Sequence, residues 1–332
     1  MKAAFIESTG SANIIQYGDV PDLVPGPSEV LIQMSAVSVN PIDTYIRSGS
    51  VKLELPPRYV VGSDVAGTIS AVGADIDEFE VGDRVWASNQ GLAGRQGTFS
   101  EFCCIDRKWV YSTPADVSDE TAAALALTAI TAHLGLHLHG QIAAGETAFV
   151  NGGTGGVGSA VVQIAKAAGA TVVTTVGSDS NQTIAEGLGA DHVINYRCGN
   201  VAEEVKRLTS ERGGVNLWFE TQRNPNPDVT IPLLARRGRY ILMAGRDARP
   251  EFPIGPLYVN DLRAIGFAMF NASPDEQRRC AEHLNLLMSQ GKLIANIGAS
   301  FRLGHAAEAH QLQEDNTLSQ AGTLSGKIVL TP

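Results

Sequence analysis

The sequence predicts an α/β protein in which a doubly wound parallel sheet interrupts a β-rich domain. Three stretches carry this expectation. Residues 1 to about 115 read as short β-branched runs between Gly/Pro turns, strands and helices alternate beyond Pro114, and the texture changes again after about Phe270. Alternating strands and helices imply parallel pairing through right-handed crossovers, whereas closely spaced strands imply a mostly antiparallel sheet.

In chain order, the first region offers KAAFIES, EVLIQMSAVSV, DVAGTISAVG, DRVWASN and TFSEFCCI as strands. Pro25-Gly26-Pro27 and Pro56-Pro57 interrupt any helix there. Ser118 then caps a helix with Asp119 and Glu120 in its first turn, and TAAALALTAITAHLGLHLH is apolar on nearly every side, as a buried helix is. The strands TAFVN, TVVTTV, HVIN, VNLWFE, RYILMAG and AIGFAMF follow. Helices are expected between them, after Gly158, over SNQTIAEGLG, over NVAEEVKRLTSERGG and near VTIPLLARRG. The tail supplies a capped amphipathic helix, SPDEQRRCAEHLNLLMSQG, a second in FRLGHAAEAHQLQ, and a closing strand, GKIVLTP. We therefore expect one domain from residues 1–120 and 271–332, a dinucleotide-type domain over 121–270, and a ligand cleft between them.

A chain of 332 residues is long enough for two cores. With 44% apolar and 18% charged residues it reads as a globular enzyme. The net charge of -10 comes without any Lys/Arg-rich block, which argues against nucleic acid or an anionic membrane as partner. The opening MKAAFIESTG has no apolar core, so neither signal peptide nor membrane span is expected there, and a cytoplasmic location follows as the expectation. Cys103, Cys104, Cys198 and Cys280 lack C-x-x-C spacing and read as reduced structural thiols.

The most informative motif is VNGGTGGVG. Gly153, Gly155 and Gly158 satisfy G-x-G-x-x-G directly after a strand and at the start of a helix that opens with Gly156 and Val157. There the first glycine serves the tight turn, the second lets a pyrophosphate approach the backbone, and the third lets helix and strand pack closely. Gly177-Ser178 follows the second strand, where an NAD site places a carboxylate on the ribose. A small residue and a hydroxyl leave room for a 2′-phosphate and favour NADPH, while Asp179, one residue on, keeps NADH open. Tyr196, after the third strand, can reach the same region.

Ser63-Asp64 lies between two glycines in VVGSDVAGTISAVG. Serine is a poor zinc ligand and no thiolate or imidazole accompanies the pair, so a packing role with Asp64 hydrogen-bonded is expected, the alternative being a polar contact to substrate or nicotinamide ribose. His133 and His137 share a helical face, but no Glu or Cys accompanies them, so no metal site is assigned.

Taken together, NPIDTYIRSG, VVGSDVAGTISAVG with FEVGDRVWA, and VNGGTGGVG resemble the zinc-independent quinone oxidoreductases related to zeta-crystallin, in the medium-chain dehydrogenase/reductase superfamily. The resemblance covers nearly the whole chain. It implies a GroES-like β-rich domain joined to a Rossmann domain, a homodimer, and NADPH as cofactor without zinc. Zinc-dependent relatives carry a cysteine near Asn40 and a His-Glu pair at Ser63-Asp64, none of which stands here. By the same resemblance Asn40 donates to cofactor or substrate, Tyr45 lines the site with its phenol, Thr131 contacts nicotinamide, and Lys327 lies near the cofactor. The chain departs from the pattern at Val51, where relatives often carry an aromatic, and at Asn181, where a lysine often holds the 2′-phosphate.

Without a Lewis acid, alcohol oxidation is hard, so the expected substrates are quinones and α,β-unsaturated carbonyls. Two other readings stand beside this one. The first is an enoyl-thioester or alkenal reductase on the same scaffold. The second is an NADPH-binding protein without turnover, acting as a sensor, structural protein or RNA binder.

Overall fold

A computed structural model covering residues 1–332 gives the architecture. The chain begins with β1 (Lys2–Ile6), β2 (Gln16–Asp19), β3 (Glu29–Val39), α1 (Pro41–Ser48), β4 (Tyr59–Val60), β5 (Asp64–Val72), β6 (Arg84–Ala87), β7 (Phe102–Asp106), β8 (Val110–Ser112) and α2 (Asp119–His133). Next come β9 (Thr147–Val150), α3 (Gly156–Ala167), β10 (Thr171–Val176), α4 (Asp179–Gly187), β11 (His192–Asn195), α5 (Val201–Thr209), β12 (Val215–Glu220), α6 (Pro227–Thr230), β13 (Leu234–Leu242), α7 (Ile254–Val259) and β14 (Arg263–Gly266). The chain then forms α8 (Pro274–Ser289), β15 (Ile297–Arg302), α9 (Ala306–Thr317) and β16 (Lys327–Thr331).

These elements form two units. The first comprises Met1–Leu127, Ser273–Ser289 and Ala295–Pro332, and the second comprises Thr128–Ala272 with Gln290–Ile294. The division falls inside α2, a helix whose sequence is uninterrupted by any breaker. A π-helical turn, Leu134–His139, prolongs it. This run, Asp119–His139, is long and apolar enough to cross a membrane, but most of it is buried within the protein, as expected of a core helix.

In the first unit, β3 is the organising strand. It pairs antiparallel with β5 along most of its length, with β7 over Glu29–Gln33, and with β16 over Val37–Val39. Alternate residues of these strands, among them Val30, Ile32, Ile69, Val85 and Ile105, are fully or almost fully buried in one core. The register sets Ser38 opposite Asp64, and Ile328 opposite Val39. Polar residues at the ends of neighbouring strands are thereby gathered at one place.

The second unit is a six-stranded parallel sheet of order β11-β10-β9-β12-β13-β14. Strand order reverses at β9, from which β10 and β11 run to one side and β12 to the other, and such a reversal opens a crevice at the carboxyl ends of the strands. Beneath it Phe149 and Trp218 stack at 3.7 Å between ring centroids.

Among the stretches that differ from the sequence expectation are the following three. NPIDTYIRSG, to which the sequence reading assigns no helix, forms helix α1: Pro41 occupies its first turn, Asp43 Oδ2 accepts from the Asn40 amide at 2.8 Å, and Gly49 ends it with φ of 79°. IGASFR forms strand β15, parallel to β16. Near VTIPLLARRG the helix is cut to one α-turn, α6, because Pro232 cannot continue it, and β13 begins already at Leu234.

Candidate active site

The loop after β9 is held by a chain of polar side chains. Thr175 Oγ1 accepts from the Gly152 amide and donates to Asn151 Oδ1, both at 2.9 Å. Asn151 Nδ2 donates to Glu220 Oε1 at 2.9 Å, and Glu220 also accepts from the Gln222 amide and Trp218 Nε1. Burial raises the Glu220 carboxyl above its ordinary range, and these donors oppose that shift. The left-handed turn itself is made at Gly152, with φ of 83°, one residue before the first glycine of the motif. Gly153 instead packs on β10, where a Cβ would collide with the Thr174 side chain, and a Cβ on Gly158 would collide with the Gly152 carbonyl.

Gly155 is different. Its backbone, at φ of -72° and ψ of 170°, is open to any residue, and a Cβ there would meet only the Gly152 carbonyl at 3.5 Å, an ordinary contact. It caps α3, whose first turn contains Gly156, Val157 and Gly158 and no acidic side chain. The free amides of that turn and the positive helix end suit an anion. Packing explains Gly153 and Gly158 but not Gly155.

At the end of β10, a Cβ on Gly177 would stand where the Tyr196 hydroxyl lies. Ser178 caps α4 by accepting from the Asn181 amide, and its hydroxyl lies 3.0 Å from that of Ser180. Asp179 Oδ1 accepts from Asn195 Nδ2 at 3.1 Å, so its carboxylate is drawn toward β11. Tyr196 remains 52% exposed. Asn151, Thr175, Tyr196, Trp218 and Glu220 border a cavity of about 190 Å³.

The other predicted residues lie elsewhere. Thr131 is buried on α2, in the same unit. His133 and His137 stand on that helical run with ring centroids 4.5 Å apart. Asn40, Tyr45 and Lys327 belong to the first unit. Tyr45 is half-buried on α1.

Around Asn40 the strand ends gather a fully buried polar cluster. Asp64 accepts from Ser38 Oγ at 3.0 Å, Asn40 Nδ2 at 2.7 Å and Ser88 Oγ at 2.7 Å. Ser63 Oγ donates to Asp43 Oδ1 at 2.5 Å. Lys327 Nζ donates to the Val39 carbonyl and to Asn40 Oδ1, each at 2.6 Å. The ammonium expected beside a cofactor is thus engaged in the interior, because antiparallel pairing with β3 carries Lys327 level with Asn40. Burial pushes the Asp43 carboxyl up to about 7, against the hydrogen bond from Ser63, and raises Asp64 as well. It pulls the Lys327 ammonium down to about 8, against the attraction of Asp64 and Asp43. Asp43, Ser38 and Ser88 escaped the sequence reading, although Asp43 three residues after Asn40 is a recognisable capping pattern.

The thiols are all free, and burial pushes Cys103 and Cys280 up to about 12 and Cys104 up to about 11, which suits inert core cysteines.

Comparison with known proteins agrees with this layout. Residues 26–115 match the alcohol dehydrogenase GroES-like domain and residues 156–287 the zinc-binding dehydrogenase family. The human quinone oxidoreductase is 31% identical over 331 residues, covering 99% of this chain and 97% of its own. The chain belongs to the quinone oxidoreductases of the medium-chain dehydrogenase/reductase superfamily. Among solved structures of the superfamily, an NAD-dependent alcohol dehydrogenase superposes with a TM-score of 0.90 at 28% identity, covering all of both chains. The Escherichia coli quinone oxidoreductase complexed with NADPH superposes with a TM-score of 0.85 at 25% identity, likewise over both whole chains.

The zinc named in one matched family does not fit the residues at Asn40, Ser63 and Asp64. An amide, a hydroxyl bonded to Asp43 and a carboxylate already accepting from three donors offer neither thiolate nor imidazole. An ammonium bonded to Asn40 places a positive charge where a cation would have to settle. A dinucleotide does fit the second unit, since Gly155 leaves its side-chain space open at a helix end with free amides.

Proposed function

We propose that this protein reduces quinones or activated α,β-unsaturated carbonyls with NADPH and without zinc. The observation that carries the reading is the cluster at Asn40, Ser63 and Asp64, built of amide, hydroxyl and carboxylate around a buried lysine. Such groups cannot act as a Lewis acid toward an alcohol, so the acceptor must already be electrophilic.

The backbone amides of Gly155 to Gly158, with Gly153 shaping the loop, would receive the pyrophosphate. Gly177, Ser178 and Tyr196 would receive the ribose 2′-phosphate. The Asn195 bond that draws Asp179 toward β11 favours NADPH over NADH, because it keeps a carboxylate from the ribose. The NADPH bound by the Escherichia coli relative supports the same preference. Thr131 would contact the nicotinamide, which when bound supplies a hydride to the acceptor. The Tyr45 phenol would donate to the acceptor oxygen, Asn40, buried between Asp64 and Lys327, would brace the start of the helix that carries Tyr45, and water can provide the final proton.

The protein is further read as a cytoplasmic homodimer. The outer edge of β14 lies at the end of its sheet with most of its residues exposed, and a second copy could pair there.

The test is the loss of reduced-nicotinamide absorbance with purified protein, NADPH or NADH, a panel of quinones and enones, and a chelator. Chelator-insensitive oxidation selective for NADPH is expected. A preference for NADH would make Asp179 the ribose ligand, and binding of NADPH without turnover on any acceptor would favour a sensor or structural protein.

A further inference from the structure

Helix α2 does not stop at His133 but widens into the π-helical turn Leu134–His139, in which the Gly140 amide donates to the Gly135 carbonyl five residues back at 2.9 Å. Such turns are rare in helices and recur at functional sites. The sheet side explains how this one is held: a Cβ on Gly135 would collide with the Phe219 ring, and one on Gly140 with the Leu217 side chain, so both glycines press the turn against β12. Its end is pinned by Arg239, whose Nε donates to the Gly140 carbonyl at 2.6 Å and whose guanidinium is paired with Glu146. Leu134 and Leu136 are buried within it. The backbone here is fixed by packing, and the side chains it carries are fixed with it.

Two of those side chains are His133, the last residue of α2, and His137, in the π turn; both are half-buried. Residues four apart share a helical face, the spacing at which a zinc-binding helix presents its two histidines. A widened turn rises less per residue and draws the pair together. The ring centroids stand 4.5 Å apart with the planes inclined at 43°, so the imidazoles converge without stacking face to face. Two imidazoles bonded through nitrogen to one ion at about 2.0–2.1 Å have ring centres about 5 Å apart. The observed spacing is close to that of a chelate.

We propose that His133 and His137 together bind a late first-row divalent cation, Zn2+, Ni2+ or Cu2+, with water completing its coordination. Imidazole nitrogen suits these ions, whereas Mg2+ and Ca2+ take oxygen ligands. Spacing alone assigned no metal to these residues, and the π turn that holds the two rings together is what the structure adds. An ion bonded to both would cross-link the end of α2 to the π turn. The proposal gives the ion no part in hydride transfer, so it stands or falls apart from the reading of function above.

The experiment uses the full chain as wild type, H133Q, H137Q and H192Q, the last altering an exposed histidine on β11. Calorimetric titration with ZnCl2 should give one ion bound per chain in wild type and H192Q, with affinity about tenfold weaker or worse in H133Q and H137Q. MgCl2 should give no binding. Excess Zn2+ should raise the thermal midpoint of wild type but not that of H133Q or H137Q. Wild-type protein loaded with Cu2+ supplies a readout that needs no variant: its electron paramagnetic resonance spectrum should show coupling to two imidazole nitrogens. Absence of stoichiometric Zn2+ binding, binding unchanged in both H133Q and H137Q, or a Cu2+ spectrum without two nitrogens overturns the proposal.

Discussion

The Tyr196 hydroxyl lies directly over Gly177, in the space that the Cβ of any other residue at that position would occupy. Tyr196 is half exposed and its ring end can swing away, so Gly177→Ala should leave stability nearly unchanged, within about 0.5 kcal/mol. The displaced phenol would no longer meet a 2′-phosphate. NADPH affinity should weaken about tenfold while NADH affinity changes little, as measured by fluorescence titration with each cofactor.

Two glycines of the phosphate loop, Gly155 and Gly158, should separate by experiment. Gly155→Ala introduces only an ordinary contact and should keep the wild-type thermal midpoint while losing most NADPH affinity, because its methyl group enters the space left for the ligand. Gly158→Ala meets a backbone carbonyl that cannot yield and should destabilise the fold by about 1–3 kcal/mol or more, with or without cofactor. Equal destabilisation by both would mean that Gly155, too, is a packing glycine.

Asp43 makes stability depend on pH. Its folded pKa is raised to about 7 from the ordinary 3.8, so the folded chain holds a proton that the unfolded chain has released between these values. The resulting stabilisation is complete below 3.8 and is lost as pH rises through about 7, and Asp64, also raised, acts in the same direction. Asp43→Asn can keep both hydrogen bonds without the charge. Denaturant midpoints measured from pH 4 to 8 should therefore fall less steeply in the variant than in wild type, the difference growing toward neutrality to a few kcal/mol.

Tyr45→Phe removes a hydroxyl and little else. Reduction should slow by about tenfold or more with NADPH affinity intact, and turnover equal to wild type would remove the phenol from the chemistry.

The alternating half of the chain was legible because its parallel strands from β9 to β12 are short, mostly apolar runs, and β10 reads TVVTTV without ambiguity. Helix α1 was overlooked for a local reason. Its Pro41 reads as a breaker unless the capping pair Asn40 and Asp43 is read with it, and the two signals point to opposite structures. The phosphate loop was legible as a motif, yet the left-handed turn falls on Gly152, since sequence spacing does not say which of two adjacent glycines bends. The polar cluster was beyond local reading. Asp64 meets Ser38 and Ser88 from β3 and the end of β6, and Lys327 meets Val39 across 288 residues, contacts that strand register alone creates.

The placing of β16 against β3 also has a bearing on how the chain is made. Synthesis proceeds from the amino end, so the ribosome releases β3, α1 and β5 long before it releases Lys327, 288 residues after Val39. Until then the middle strand of the first sheet has a vacant edge at Val37–Val39, and Asp64 and Asp43 have no ammonium to face. The second unit, whose strands all lie between, can be complete while the first still waits. The nascent protein therefore passes through a stage with one finished unit and one open sheet, in which an unpaired strand edge invites neighbours of its own kind.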